Sequence, residues 1–158
     1  MWKIIAGFLL VFAGVYFGNK STEKYEKRKI FFKSLSGYAA FLAGKISFDG
    51  ETIPRSTLNY PFCSKDLKGI ATRYVGKRSE ANEEIFPSYL TEDEIISVKE
   101  FFLSLGKTDR TSQSETLLKL SEKYEKESEK QGKEYEKKRR ISIKLGFLSG
   151  ICFFIVLV

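Results

Sequence analysis

Two uncharged apolar runs sit at the ends of this chain, residues 4–19 (IIAGFLLVFAGVYFGN, sixteen residues) and 145–158 (LGFLSGICFFIVLV, fourteen), and a strongly charged stretch lies between them. A hydrocarbon crossing takes about 20 residues at ~1.5 Å each. Each run is slightly short of that, so Lys3 and Lys144 have to snorkel outward, with Ile141 and Ile143 lengthening the second run. The expectation is a transmembrane helix at 1–19, a helical domain at 20–144 and a second transmembrane helix at 145–158. A cleavable leader is the alternative for the first run, but it lacks a convincing small-x-small cleavage site and its positive charge lies mainly on the wrong side. Two buried core helices are the alternative for both, and neither run carries the polar stripe a core helix shows.

Charge placement predicts the topology. Residues 20–33 hold six Lys or Arg against two Glu, and residues 133–144 hold six against two. Both clusters flank the inner ends of the runs, and positive residues stay on the cytoplasmic side during insertion. The middle is therefore expected in the cytoplasm and both termini outside.

Several chemistries are unavailable. With no histidine and only Cys63 and Cys152, the 158-residue chain cannot build a four-ligand zinc site from those residue types. The cysteines stand 89 residues apart, Cys152 within an apolar run, so they do not read as a disulfide framework. No phosphate-cradling glycine loop or nucleophile–base pair is present, so no catalytic residue, metal or cofactor is expected. The net charge of +7 leaves an alternative of another class, a membrane-anchored basic helical module that binds anionic lipid or nucleic acid. No aromatic-basic nucleic-acid motif supports a nucleic-acid partner.

Helical spacing recurs through the middle, which predicts an all-α bundle. Phe31, Phe32, Leu35, Tyr38, Ala39, Leu42 and Ile46 advance by threes and fours on a helix continuing from the first run. Asp49-Gly50 supplies a turn, Pro54 starts a short helix that Pro61 ends, and Ser64 caps a helix bearing Leu67, Ile70 and Tyr74. Residues 77–90 read as a loop. Thr91 to Glu94 forms a capping box ahead of Ile95, Val98, Phe102 and Leu105, and Gly106 closes that helix. Asp109 sits where the next helix should begin, with Ser112 and Glu115 offering a second start. From Glu115 to Lys144 nothing breaks the helical pattern except Gly132, and a thin apolar side (Leu117, Leu120, Tyr124, Tyr135) is expected to pack on the first helix near the membrane and leave the rest exposed.

The segment at 105–113, LGKTDRTSQ, places Asp109 three residues after Gly106 and Gln113 four further on. This resembles a signature of the stage III sporulation protein AB family. Arg139 and Arg140 followed by LGFLSG at 145–150 are similar to that family's closing segment, and MWKIIAG to its opening. Lys45 stands before Ile46 where the family usually carries glutamate. The resemblance implies a membrane protein of endospore formers, part of the channel complex joining mother cell and forespore. It also implies a helical domain like the cytoplasmic domains of type II secretion F platform proteins, acting as a non-enzymatic scaffold. The implied partners are the stage III sporulation AA ATPase, other stage III sporulation channel proteins and membrane lipid.

On their chemistry, Gly106 suits a left-handed helix end, Asp109 an amide cap and Gln113 a bond back across the turn. Leu105, Gly106, Asp109 and Gln113 thus read either as a structural corner or as a partner contact. Gly146 and Gly150 make a GxxxG spacing that permits close helix contact in a bilayer, with Gly7, Gly14 and Gly18 of the first run as neighbours. The expected ATPase surface is that corner together with the loop at 77–90, where the long helices connect.

Overall fold

In the computed structural model, which describes residues 2–76 and 86–157, five α-helices and no strand occur among the described residues. They are α1 (Trp2–Gly44), α2 (Ile53–Asn59), α3 (Lys65–Gly76), α4 (Glu92–Ser104) and α5 (Arg110–Leu157). Most of the expected loop, residues 77–85, lies outside the described residues.

Local chemistry accounts for most helix ends. α1 closes through a π-helical turn, Lys45–Asp49, stopped by Gly50 in the left-handed conformation (φ 59°) with its N–H bonded to the Lys45 carbonyl. Pro54 lies in the first turn of α2, where its missing N–H costs nothing. The Ser64 hydroxyl accepts the Leu67 N–H at 3.3 Å and starts α3. At α4 both halves of the capping box are present, Glu94 Oε2 accepting the Thr91 N–H at 2.8 Å.

The chain divides into two compact units, Arg28–Glu129 and the combination of Met1–Lys27 with Lys130–Val158. The boundaries expected at 20 and 144 followed the onset of charge, whereas this division follows packing. α1 and α5 contribute to both units.

In the first unit Phe31, Leu35, Tyr38 and Leu42 of α1 meet Leu67 and Ile70 of α3, Val98, Phe101 and Phe102 of α4, and Leu117 and Tyr124 of α5. Tyr38 is the hub: its ring centroid lies 5.1 Å from Phe62, 5.3 Å from Tyr60, 6.1 Å from Phe101 and 6.3 Å from Phe102. Its hydroxyl meets Thr57 Oγ1 at 2.7 Å, and Thr57 Oγ1 donates to the Ile53 carbonyl at 2.7 Å. Burial pushes the Tyr38 phenol up to about 12.

Between α1 and α5 in this unit a seam of serine hydrogen bonds runs beside the stacking of Phe32 on Tyr124 at 6.1 Å. Ser114 Oγ donates to the Ala43 carbonyl (3.2 Å), Ser121 Oγ meets Ser36 Oγ (3.3 Å), and Ser128 Oγ donates to the Lys29 carbonyl (3.0 Å). The α5 numbers rise by seven as the α1 numbers fall by seven, which is antiparallel pairing with a heptad repeat. Small side chains let the backbones approach closely enough for a hydroxyl to reach a carbonyl across the interface. α5 is therefore held to α1 by one narrow face here, farther along than the packing expected near the membrane, while Lys119, Glu122, Lys123, Lys126 and Glu129 stay exposed.

In the second unit the α1 and α5 segments meet through Tyr25, whose ring lies 5.1 Å from Lys138 Nζ. Further along α5, Gly146 is buried while Leu145, Phe147 and Leu148 are 61%, 56% and 58% exposed. Gly150 is helical, and its surroundings lie outside the described residues. Among the described residues no helix is long and apolar enough to cross a membrane. The side chains of residues 2–15 and several of 150–158 are not among those described.

Candidate functional site

The structure brings Leu105, Gly106, Asp109 and Gln113 into a single turn between α4 and α5. Leu105 leaves the helix in extended conformation and is 6% exposed. Gly106 follows at φ 75°, in the region that any side chain would strain. Its N–H donates to Gln113 Oε1 at 3.1 Å, so the amide of a buried side chain satisfies a backbone group freed at the helix end. Asp109 is the N-cap of α5: its Oδ2 accepts the Ser112 N–H at 3.2 Å and its carbonyl the Gln113 N–H at 2.9 Å. The bond from the Ser112 backbone, ahead of that from its hydroxyl, holds the Asp109 carboxyl below its usual range.

The corner also clamps the end of α1. A Cβ built on Gly50 would stand 3.0–3.2 Å from the Arg110 guanidinium, and Ser114 reaches the Ala43 carbonyl. Gly50 therefore has two constraints, its positive φ and the cation lying against it. Asp109 and Arg110 are outward-facing, as are Lys107 and Thr108.

Beside the corner, the packing of α2 and α3 against α4 leaves a groove of about 420 Å³, lined among others by Thr52 and by the apolar side chains of Ile53, Pro54, Val75 and Phe102. A second hollow of about 320 Å³ is lined by Leu103, Gly106 and Lys107. Tyr74, Phe102 and Leu105 border both. Within the site Tyr74 stacks on Phe102 at 5.1 Å and 18°, and its own burial raises the Tyr74 phenol. Leu103 is 50% exposed on the rim.

Sequence periodicity finds Leu105 but not the groove, because Ile53 and Val75 reach it from other helices. Nor does it find Phe101, which is 1% exposed and contacts Tyr38 and Tyr124 at once. The seven-residue recurrence of Ser114, Ser121 and Ser128 is the signal that would have revealed the seam. The corner presents apolar walls and the exposed Lys107, and among the described residues no nucleophile stands there beside a base.

A family model described as stage III sporulation protein AB matches residues 3–158. No curated protein sequence and no solved structure matches the chain.

Proposed function

The chain belongs to the stage III sporulation protein AB family, which implies a role in stage III sporulation, and from that premise we propose that it is a non-enzymatic membrane platform that docks the stage III sporulation AA ATPase. The docking surface in this reading is the α4–α5 corner with its groove, and the complex it serves is the channel between mother cell and forespore. One observation carries the reading. The residues of the 105–113 signature, brought together by α4 and α5, form a corner whose interior is bonded shut by Gln113, while Lys107 and Leu103 stand exposed on the hollow that shares Tyr74, Phe102 and Leu105 with the groove. A partner presenting an apolar anchor flanked by carboxylates would fill the groove and meet Lys107.

Membrane anchorage is part of the proposal. It is supported by the two uncharged terminal runs, by their flanking basic clusters, and by apolar residues exposed along α5, among them Ile141, Leu145, Phe147, Leu148 and Ile155. Such a surface suits lipid better than water. In this reading the termini are extracytoplasmic and the middle faces the mother-cell cytoplasm.

The test is co-purification of the detergent-solubilised full chain with the ATPase. Lys107→Glu combined with Leu103→Glu is expected to lower recovery of the ATPase at least about tenfold, as loss of one charged contact and one apolar contact would. Both side chains are at least half exposed or outward-facing, so the melting temperature should hold. Arg110 is left intact because it packs on Gly50. Asp109→Ala separates cap from contact: a lower melting temperature with undiminished binding marks a cap. If the Lys107→Glu, Leu103→Glu variant leaves recovery unchanged while charge reversals between Lys119 and Arg140 abolish it, the corner is not the docking surface.

A further inference from the structure

We propose that an open cleft between the α1 and α5 segments of the unit formed by 1–27 and 130–158 receives the headgroup of phosphatidylethanolamine. The inference rests on the two-span reading above. Tyr16, Lys20 and Glu23 are spaced by four and three on one face of α1, with Glu26 a further three along, and Tyr135 and Arg139 are four apart on α5. Together they line a cleft of about 580 Å³. On α1 the uncharged run ends at Asn19, immediately before Lys20. On the α5 segment of this unit, 130–158, the exposed large apolar residues begin at Ile141, two positions after Arg139. The cleft thus sits where both helices change from polar to apolar, and tyrosines are the side chains that settle at such a boundary.

The charges in the cleft decide which headgroup fits. It presents two cations, Lys20 and Arg139, and two carboxylates, Glu23 and Glu26. Glu23 is engaged by Lys27 at 2.7 Å. Glu26 makes no ion pair among the described residues. A purely anionic headgroup would bring its phosphate to Lys20 and Arg139 and leave Glu26 facing more negative charge. A phosphoethanolamine headgroup supplies a phosphate for the cations and, a few atoms away, an ammonium for Glu26, with the Tyr135 ring offering a face to the same cation. Tyr135 already carries Arg139 at 5.9 Å, which shows the ring accepts a cation.

The experiment is native mass spectrometry of the full chain in detergent, titrated with phosphatidylethanolamine or phosphatidylglycerol. The expected result is tighter retention of phosphatidylethanolamine. Glu26→Gln should weaken it about tenfold, the loss of one charge-assisted bond, without weakening phosphatidylglycerol. Arg139→Gln should weaken both. Preference for phosphatidylglycerol in the unmodified chain, or unchanged phosphatidylethanolamine binding in Glu26→Gln, overturns the proposal. Alkaline carbonate treatment of membranes separates it from the reading beneath it. A chain that is extracted overturns the spans and the headgroup site together; one that resists extraction yet shows no preference for phosphatidylethanolamine overturns the site alone.

Discussion

Arg28 and Glu94 join α1 to the start of α4, the Arg28 Nη2 and Nε donating to Glu94 Oε1 at 2.5 and 3.2 Å. The other oxygen of the same carboxylate caps α4 through the Thr91 N–H. Both side chains are largely withdrawn from water, 15% and 11% exposed, so removing one strands the other. Glu94→Ala is expected to cost about 2–4 kcal/mol, between the values for exposed and buried pairs. Thr91→Ala, which loses only capping, should cost about 0.5–2 kcal/mol. Urea unfolding of the two variants and of an Arg28→Ala, Glu94→Ala cycle checks this; a coupling energy below about 0.5 kcal/mol would mean the pair is ornamental.

The Tyr38 phenol predicts a pH effect. Burial raises it from 10.0 to about 12 in the fold. Between those values the folded chain keeps a proton that the unfolded chain has lost. Stability from this group is whole below about pH 10 and falls as pH climbs toward 12, by roughly 2–3 kcal/mol. Tyr38→Phe should lose about 0.5–1.5 kcal/mol at pH 7, from the bond to Thr57, yet decline less steeply above pH 10 than the unmodified chain. Parallel slopes in denaturant midpoints measured from pH 9 to 12 would count against it.

Phe102 is 5% exposed, stacked on Tyr74 and edge-on to Phe101 at 5.0 Å. Truncation to alanine is expected to cost about 3–5 kcal/mol, toward the lower figure because the groove lets the void open to solvent. Calorimetry decides it, and a loss under about 1 kcal/mol would place the ring outside the core.

Cys63 and Cys152 are free and exposed, one in the unit 28–129 and one in the second apolar run. With Cys152→Ala in place, Cys63 becomes a built-in reporter of sidedness. An impermeant maleimide should leave it unmodified in intact cells and react after permeabilisation. Labelling of intact cells would reverse the proposed topology.

Helix ends were legible because their causes are local. The Thr91–Glu94 box, the Ser64 cap, Pro54 and Asp49-Gly50 each act within five residues, and the structure uses all of them. The α1 stripe from Phe31 to Ile46 was legible for the same reason. Phe101 was hidden because α4 is packed on two sides, so its buried arc is wider than the single stripe Ile95, Val98, Phe102 and Leu105. At the corner, Gly106, Asp109 and Gln113 could be assigned from short-range bonding, while the groove depends on α2 and α3 meeting α4. The seam was least legible. Serines on a charged helix look like solvated surface, and their partners are backbone carbonyls 71 and 99 residues away.

That seam has a mechanical meaning. Ser114, Ser121 and Ser128 repeat at the spacing of their α1 partners, so a load drawing α1 along the axis of α5 stretches all three bonds at once. The joint is stressed in shear, where rupture requires near-simultaneous failure. A load peeling the helices apart would meet the bonds singly, each worth about 1 kcal/mol. The two longest helices are thus fastened to resist sliding more than separation, and the smallest slip that brings these serines opposite the same set of α1 positions again is a full heptad, about 10 Å.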